Sequence, residues 1–171
     1  MKHIYKKGFL IVMLFVFSNS LCGQNRIMSY DKTYSFITLE DWEDHSESAS
    51  LIFAQPLENT IDNYMENIRI DSYPSEGMSL NEYWQYYVVL DFPLQFENYQ
   101  LIRFFSMKIN NMDANWIEFT NEANGLKYKS CIYMLWHNDK IYSILCSAKE
   151  KDYAKTQPLF QKMANSFKIE D

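Results

Sequence analysis

The chain has 171 residues, 47% of them hydrophobic and 17% aromatic, with 16 Lys and Arg against 22 Asp and Glu. The first 23 residues hold three of the lysines and no acid, so without them the balance is 13 (16 less 3) against 22, a net charge of −9 instead of −6. So acidic a chain does not suit nucleic acid or anionic lipid, which are bound through clustered Lys and Arg. With only Gly77 and Gly125 beyond residue 23, neither a phosphate-cradling loop nor a dinucleotide fingerprint can be assembled.

The N-terminus reads as a secretory leader. Lys2, Lys6 and Lys7 precede an unbroken apolar run from Phe9 to Phe17, which gives way to Ser18, Asn19 and Ser20. Gly8 to Phe17 is half the length needed to span a bilayer as a helix, about 20 residues, and no second such run follows, so no membrane span is expected. Cleavage falls between Ser20 and Gly23, taken here at Gly23. Leu21 stands where a lipoprotein signal carries a small residue, so Cys22 is not expected to bear a lipid anchor. Residues 1–23 are therefore read as a signal peptide and 24–171 as a single domain, periplasmic or secreted. Its 148 residues suffice to bury roughly two thirds of the unfolded surface.

Strands are expected at Tyr34 to Leu39 and at Leu51 to Ala54, joined by a polar stretch from Glu40 to Ser50. A third is expected around Ile68 and Ile70, whose alternation with Asn67, Arg69 and Asp71 implies one buried and one wet face. Ser79 and Glu82 form a capping box that opens a helix with Leu80, Trp84, Tyr87 and Val88 on one face, and Pro93 ends it near Asp91. Four strands follow, Leu101 to Ile109, Trp116 to Thr120, Leu126 to Trp136 and Ile141 to Ala148. Asn110 with Asn111, Asn124 with Gly125, and Asn138 with Asp139 supply the residues that tolerate positive φ in tight hairpins. A last helix is capped by Thr156, carries Pro158 in its first turn and presents Leu159, Met163 and Phe167 on one face. Cys131 to Trp136 and Ile141 to Leu145 are apolar at both parities, so both sheet faces should be covered, with Trp84, Tyr87 and Trp136 facing the core. The class is α+β, an antiparallel sheet with helices on both faces.

Several stretches together resemble the PsbP-like family: the aromatic strand and acidic turn from Tyr34 to Trp42, Ser-Leu-Asn-Glu-Tyr at Ser79 to Tyr83, and the turn and strand from Asn110 to Trp116. The hairpin from Asp139 to Tyr142 and Asn-Ser-Phe-Lys at Asn165 to Lys168 complete the set, which spans nearly the whole chain beyond the leader. That family includes an extrinsic photosystem II protein, a Ran-binding nuclear protein and exported bacterial proteins of unassigned role. The resemblance implies a shared αβα scaffold and binding or accessory work, and names no ligand or activity.

Chemistry-bearing residues are few. Asp41, Glu43, Asp44, His45 and Glu47 fall within seven residues, and of these Asp41, Asp44 and His45 are the candidates to hold a divalent metal or act as acid and base. The alternative is a solvated loop. No nucleophile elbow, His-Glu-x-x-His or paired Cys-x-x-Cys is present, so no catalytic residue and no cofactor are assigned. If Asn138 and Asp139 form a two-residue turn, Cys131 falls opposite Cys146 at a separation a disulfide can bridge, about 5 Å between Cα atoms. A disulfide and two buried free thiols are both compatible with that register. The leading reading is an exported, non-enzymatic binding or accessory domain for an unknown protein or small ligand, of unassigned oligomeric state. The other readings are a metal-assisted or acid/base enzyme using the Asp41 to Glu47 loop, and an accessory or protective protein of a secretion or envelope system.

Overall fold

The structure, a computed structural model, describes residues 24–47, 50–59, 62 and 64–170. The expected leader and Cys22 lie outside the described residues. The polypeptide forms two antiparallel sheets and a few helices, an α+β architecture.

The smaller sheet has the order β1–β2–β10, where β1 is Gln24–Met28, β2 is Tyr34–Leu39 and β10 is Lys168–Ile169. The larger, in the order β3–β4–β5–β9–β8–β7–β6, contains β3 (Glu43–Asp44), β4 (Leu51–Ala54), β5 (Asn67–Pro74), β6 (Glu97–Ile109), β7 (Met112–Ala123), β8 (Leu126–His137) and β9 (Lys140–Lys149). The long meander from β6 to β9 turns on three pairs with positive φ: Asn110 and Asn111 at 47° and 68°, Asn124 and Gly125 at 52° and 74°, Asn138 and Asp139 at 47° and 57°. Two successive left-handed residues give a turn whose twist matches that of the flanking strands, which is why Asn, Asp and Gly occupy these corners.

Ser79 caps α1 (Leu80–Trp84) as the capping box predicts: its Oγ accepts from the Glu82 N–H at 3.3 Å, and the Glu82 carboxylate accepts from the Ser79 N–H at 2.8 Å. The helix does not end near Asp91. It passes into a π-helical segment, Gln85–Asp91, and then into α2 (Phe92–Gln95), with Pro93 in the first turn of α2. The Phe92 N–H bonds to the Tyr87 carbonyl five residues back, and Pro93 enters where a new α-helical turn begins, a position at which a missing N–H is tolerated.

The last helix, α3 (Glu150–Asn165), also differs from expectation. It begins six residues before Thr156, and Pro158 lies in its interior. Its buried face is Tyr153, Thr156, Phe160, Met163 and Ala164, and Leu159 is only half-buried. Burial of Tyr153 and Phe160 sets where the helix starts and outweighs the lost bond at Pro158. Thr156 is not a cap: its Oγ1 donates to the Asp152 carbonyl at 3.2 Å.

Alternate residues of the central strands enter two cores. Cys131, Tyr133, Leu135, Ile144 and Cys146 pack with Phe160, Met163 and Ala164 of α3 and with Tyr34 and Phe36 of the small sheet. Ile132, Met134, Ile117 and Phe119 pack with Tyr83, Trp84 and Val88. Trp84 is buried as expected, but Trp136 is 42% exposed: it sits one residue from the end of β8. No helix among the described residues is long and apolar enough to cross a membrane.

Candidate functional site

The β1–β2 turn is built around one carboxylate. Asp31 Oδ1 accepts from the hydroxyls of Ser29 at 2.8 Å and Thr33 at 2.9 Å and from the Thr33 N–H at 3.2 Å, with Lys140 at 3.7 Å on its other oxygen. Burial opposes its charge, and the Ser29 and Thr33 hydrogen bonds more than offset that, holding the carboxyl below its ordinary value. Asp31 is therefore ionised at neutral pH.

Across from this turn, the pairing of β4 with β5 sets Leu51 opposite Ile70, and the same count places Ser50 beside Asp71. Asp71 is 7% exposed and fully engaged: Ser50 Oγ donates to Oδ1, and Arg69 Nε donates to Oδ2 at 2.7 Å while its Nη2 reaches Ser50 Oγ at 3.2 Å. Between the β1–β2 turn and the start of β4 opens a cleft of about 400 Å³, lined by Ser29, Tyr30, Asp31, Tyr34, Glu47, Ser50, Leu51 and Ser72; Asp71 and Arg69 do not line it. Tyr30 is 92% exposed, an uncommon position for so large an aromatic ring.

Among the described residues the Ser50 hydroxyl meets the Asp71 carboxylate and the Arg69 guanidinium, and no imidazole. The cleft offers hydroxyl donors and acceptors, the anionic acceptors Asp31 and Glu47, and a phenol ring.

Of the residues singled out by sequence, Glu47 lines this cleft. Asp41, Asp44 and His45 are exposed and are not brought together. Glu43 and Asp44 form the short strand β3 instead of a loop, paired with Ala54 and Phe53, and Trp42 before them is buried against Phe160. Asp44 accepts from the Ser46 N–H at 2.8 Å, and His45 Nε2 lies 3.4 Å from Glu43. Among the described residues no three His, Cys, Asp or Glu side chains gather as a metal site would require. Cys131 lies directly opposite Cys146, as the two-residue turn implies, and both are buried free thiols in the α3-side core. Burial pushes the Cys146 thiol well up.

Asp71, Ser50 and Asp31 escaped the sequence reading. The spacing of Arg69 and Asp71, two apart on one strand face, was the available signal. The alternation around Ile68 and Ile70 predicts a wet face for Asp71, whereas it is buried, with Ser50 and Arg69 on its carboxylate.

No protein-family model matches the sequence, and no curated protein matches it significantly. Solved structures do resemble it. Cyanobacterial PsbP from Synechocystis superposes with a TM-score of 0.61 at 15% identity, covering 90% of this chain and 96% of that one. LpqN of Mycobacterium tuberculosis, described as involved in cell envelope biogenesis, gives 0.64 at 8% identity over 86% and 91%. PA94 from Pseudomonas aeruginosa, described as a putative regulator of unknown function, gives 0.58 at 12% over 81% and 91%. At these identities the likeness is one of architecture, and the architecture that this chain shares with cyanobacterial PsbP and LpqN is the PsbP-like fold.

Proposed function

We propose that the chain is exported on removal of residues 1–23 and serves in the cell envelope as a single, non-enzymatic binding domain, its larger sheet covered by helices on both faces. Its ligand occupies the cleft between the β1–β2 turn and Ser50, and is a neutral or cationic polyhydroxylated molecule such as a glycan segment. The observation that carries this reading is the lining: a pocket of ligand-binding size whose polar groups are the hydroxyls of Ser29, Ser50 and Ser72 and the carboxylates of Asp31 and Glu47. Tyr30 supplies a ring face on which a sugar can stack. The basic-apolar-polar leader supports export, and the fold shared with a protein of envelope biogenesis supports the location. No comparable arrangement supports the acid/base or metal reading of Asp41, Asp44 and His45.

Isothermal titration of residues 24–171 with N-acetylglucosamine and glucosamine oligomers tests the proposal. Saturable binding is expected, weakened at least tenfold by Tyr30→Ala and by Glu47→Gln, neither of which touches the core. Absence of binding to both oligomer types, or binding indifferent to both substitutions, rejects the site.

A further inference from the structure

Among the described residues β6 is the last strand of the larger sheet and bonds only to β7. Its turn pairs Ile109 with Met112, and the alternation of an antiparallel ladder then directs the backbone groups of Ile109, Met107, Phe105 and Arg103 toward β7. Those of Lys108, Ser106 and Phe104 point to the open edge.

An open edge is ordinarily short, charged or covered. This one runs for 13 residues and is apolar on both faces. Phe104 and Leu101 lie opposite Ile117 and Phe119 on the α1 side, with Phe104 stacked on Trp84 at 4.4 Å between centroids. Phe105 lies on the other side, against Trp116 at 4.6 Å. Strands apolar at both parities belong inside sheets. Yet Leu101, Ile102, Phe104 and Phe105 are each 46 to 49% exposed, and Tyr86 and Leu90, which border one groove with Phe104, are 56% and 62% exposed.

We propose that this edge is the interface of a two-fold symmetric dimer, in which β6 pairs antiparallel with β6 of a second copy and the two larger sheets become one. The six side chains leave on the order of 650 Å² uncovered, shared between the two faces of the edge, so two copies that covered all of it would bury about 1,300 Å², the low end of the range for a stable interface. A dyad normal to the sheet keeps equivalent faces together, so opposed residues must share a face.

The register follows from the irregularity in β6. Centring the dyad on Arg103 would set two guanidinium groups against each other. The register shift between Leu101 and Arg103 places Leu101 and Phe104 on one face, with the backbone groups of both turned outward. A dyad between Ile102 and Arg103 therefore opposes Leu101 to Phe104 of the second copy, and Gln100 to its Phe105. Each Arg103 remains on its own Glu118 at 3.1 Å. The second register shift, between Glu97 and Gln100, ends this count at Gln100.

Sedimentation of residues 24–171, which span the whole described fold, should give twice the monomer mass at micromolar concentration. Ser106→Pro deletes an N–H that faces the open edge and none that faces β7, and Phe104→Glu puts a charge beside the dyad. Each should raise the dissociation constant at least 100-fold with an unchanged circular dichroism spectrum. A Leu101→Cys, Phe104→Cys double variant should form covalent dimers on oxidation, a readout that survives if either single variant fails to fold. A parent protein that sediments as a monomer at 100 μM overturns the proposal, as do dimers that persist in both single variants or a double variant that does not cross-link.

Discussion

Glu118 sits in the middle of β7 with 1% of its surface exposed, held by Lys129 at 2.9 Å and Arg103 at 3.1 Å. Its two cations are themselves placed over aromatic rings, Arg103 over Trp116 and Lys129 over Tyr153, so their stems pack as well as their charges. Burial works against the carboxylate, and the hydrogen bonds from Arg103 and Lys129 outweigh it, leaving the folded-state value below the ordinary one. A depressed carboxyl contributes stability that is complete above its unfolded value, about 4.3, and is lost as pH falls through the folded value. Glu118→Gln should thus cost about 1–3 kcal/mol at pH 7, less than breaking a fully buried pair because both cations retain contact with water. Urea unfolding at pH 7 and at pH 3 checks this: the gap between parent and variant should narrow at the lower pH, and a gap that widens on acidification contradicts the assignment.

At the scale of elements, the cap of α1 offers a direct measurement. Ser79 satisfies the Glu82 N–H, and the Ser79 N–H and hydroxyl in turn hold the Glu82 carboxyl below its ordinary value. Ser79→Ala should cost about 1 kcal/mol in chemical denaturation, and an unchanged midpoint would show that the cap contributes nothing. Capping and hairpin turns were legible in the sequence because each is decided within four residues: Ser79 and Glu82 need only each other, and Asn138 with Asp139 need only a tolerance of positive φ. What was not legible depends on distant partners. Pro93 reads as a stop, but an i−5 bond from Phe92 to Tyr87 carries the chain through it. Pro158 reads as a first-turn residue, but Tyr153 finds a buried place under the sheet and pulls the helix start back to Glu150. The Ser50–Asp71 contact was hidden for the same reason: the two are 21 residues apart, and the β4–β5 register brings them together.

For the whole molecule, the residues after α3 tie that helix, the small sheet and the large sheet together. Phe167, wholly buried, lies 5.5 Å from the rings of both Tyr34 in the small sheet and Tyr142 in the large one, and its carbonyl accepts from Asn110 in the β6–β7 turn at 2.5 Å. Ser166 Oγ accepts from the Ile37 N–H at 2.7 Å and donates to the Met163 carbonyl at 2.6 Å, joining β2 to α3. Lys168 and Ile169 then pair with Ser35 and Tyr34, and the Glu170 N–H bonds to the Thr33 carbonyl at 2.9 Å. A side chain shared by both sheets should couple their unfolding, so that neither opens alone at a free energy below the global one. Phe167→Ala is expected to lower global stability by about 3–5 kcal/mol, the usual cost of removing a buried phenyl ring. The sharper expectation concerns its distribution, read by native-state amide exchange: protection of β2 and of β9 should fall by the same amount, because both lose through a common opening. A loss confined to β2 and β10, with β9 retaining the parent's protection, would mean that the small sheet is an independent flap and that Phe167 belongs to it alone.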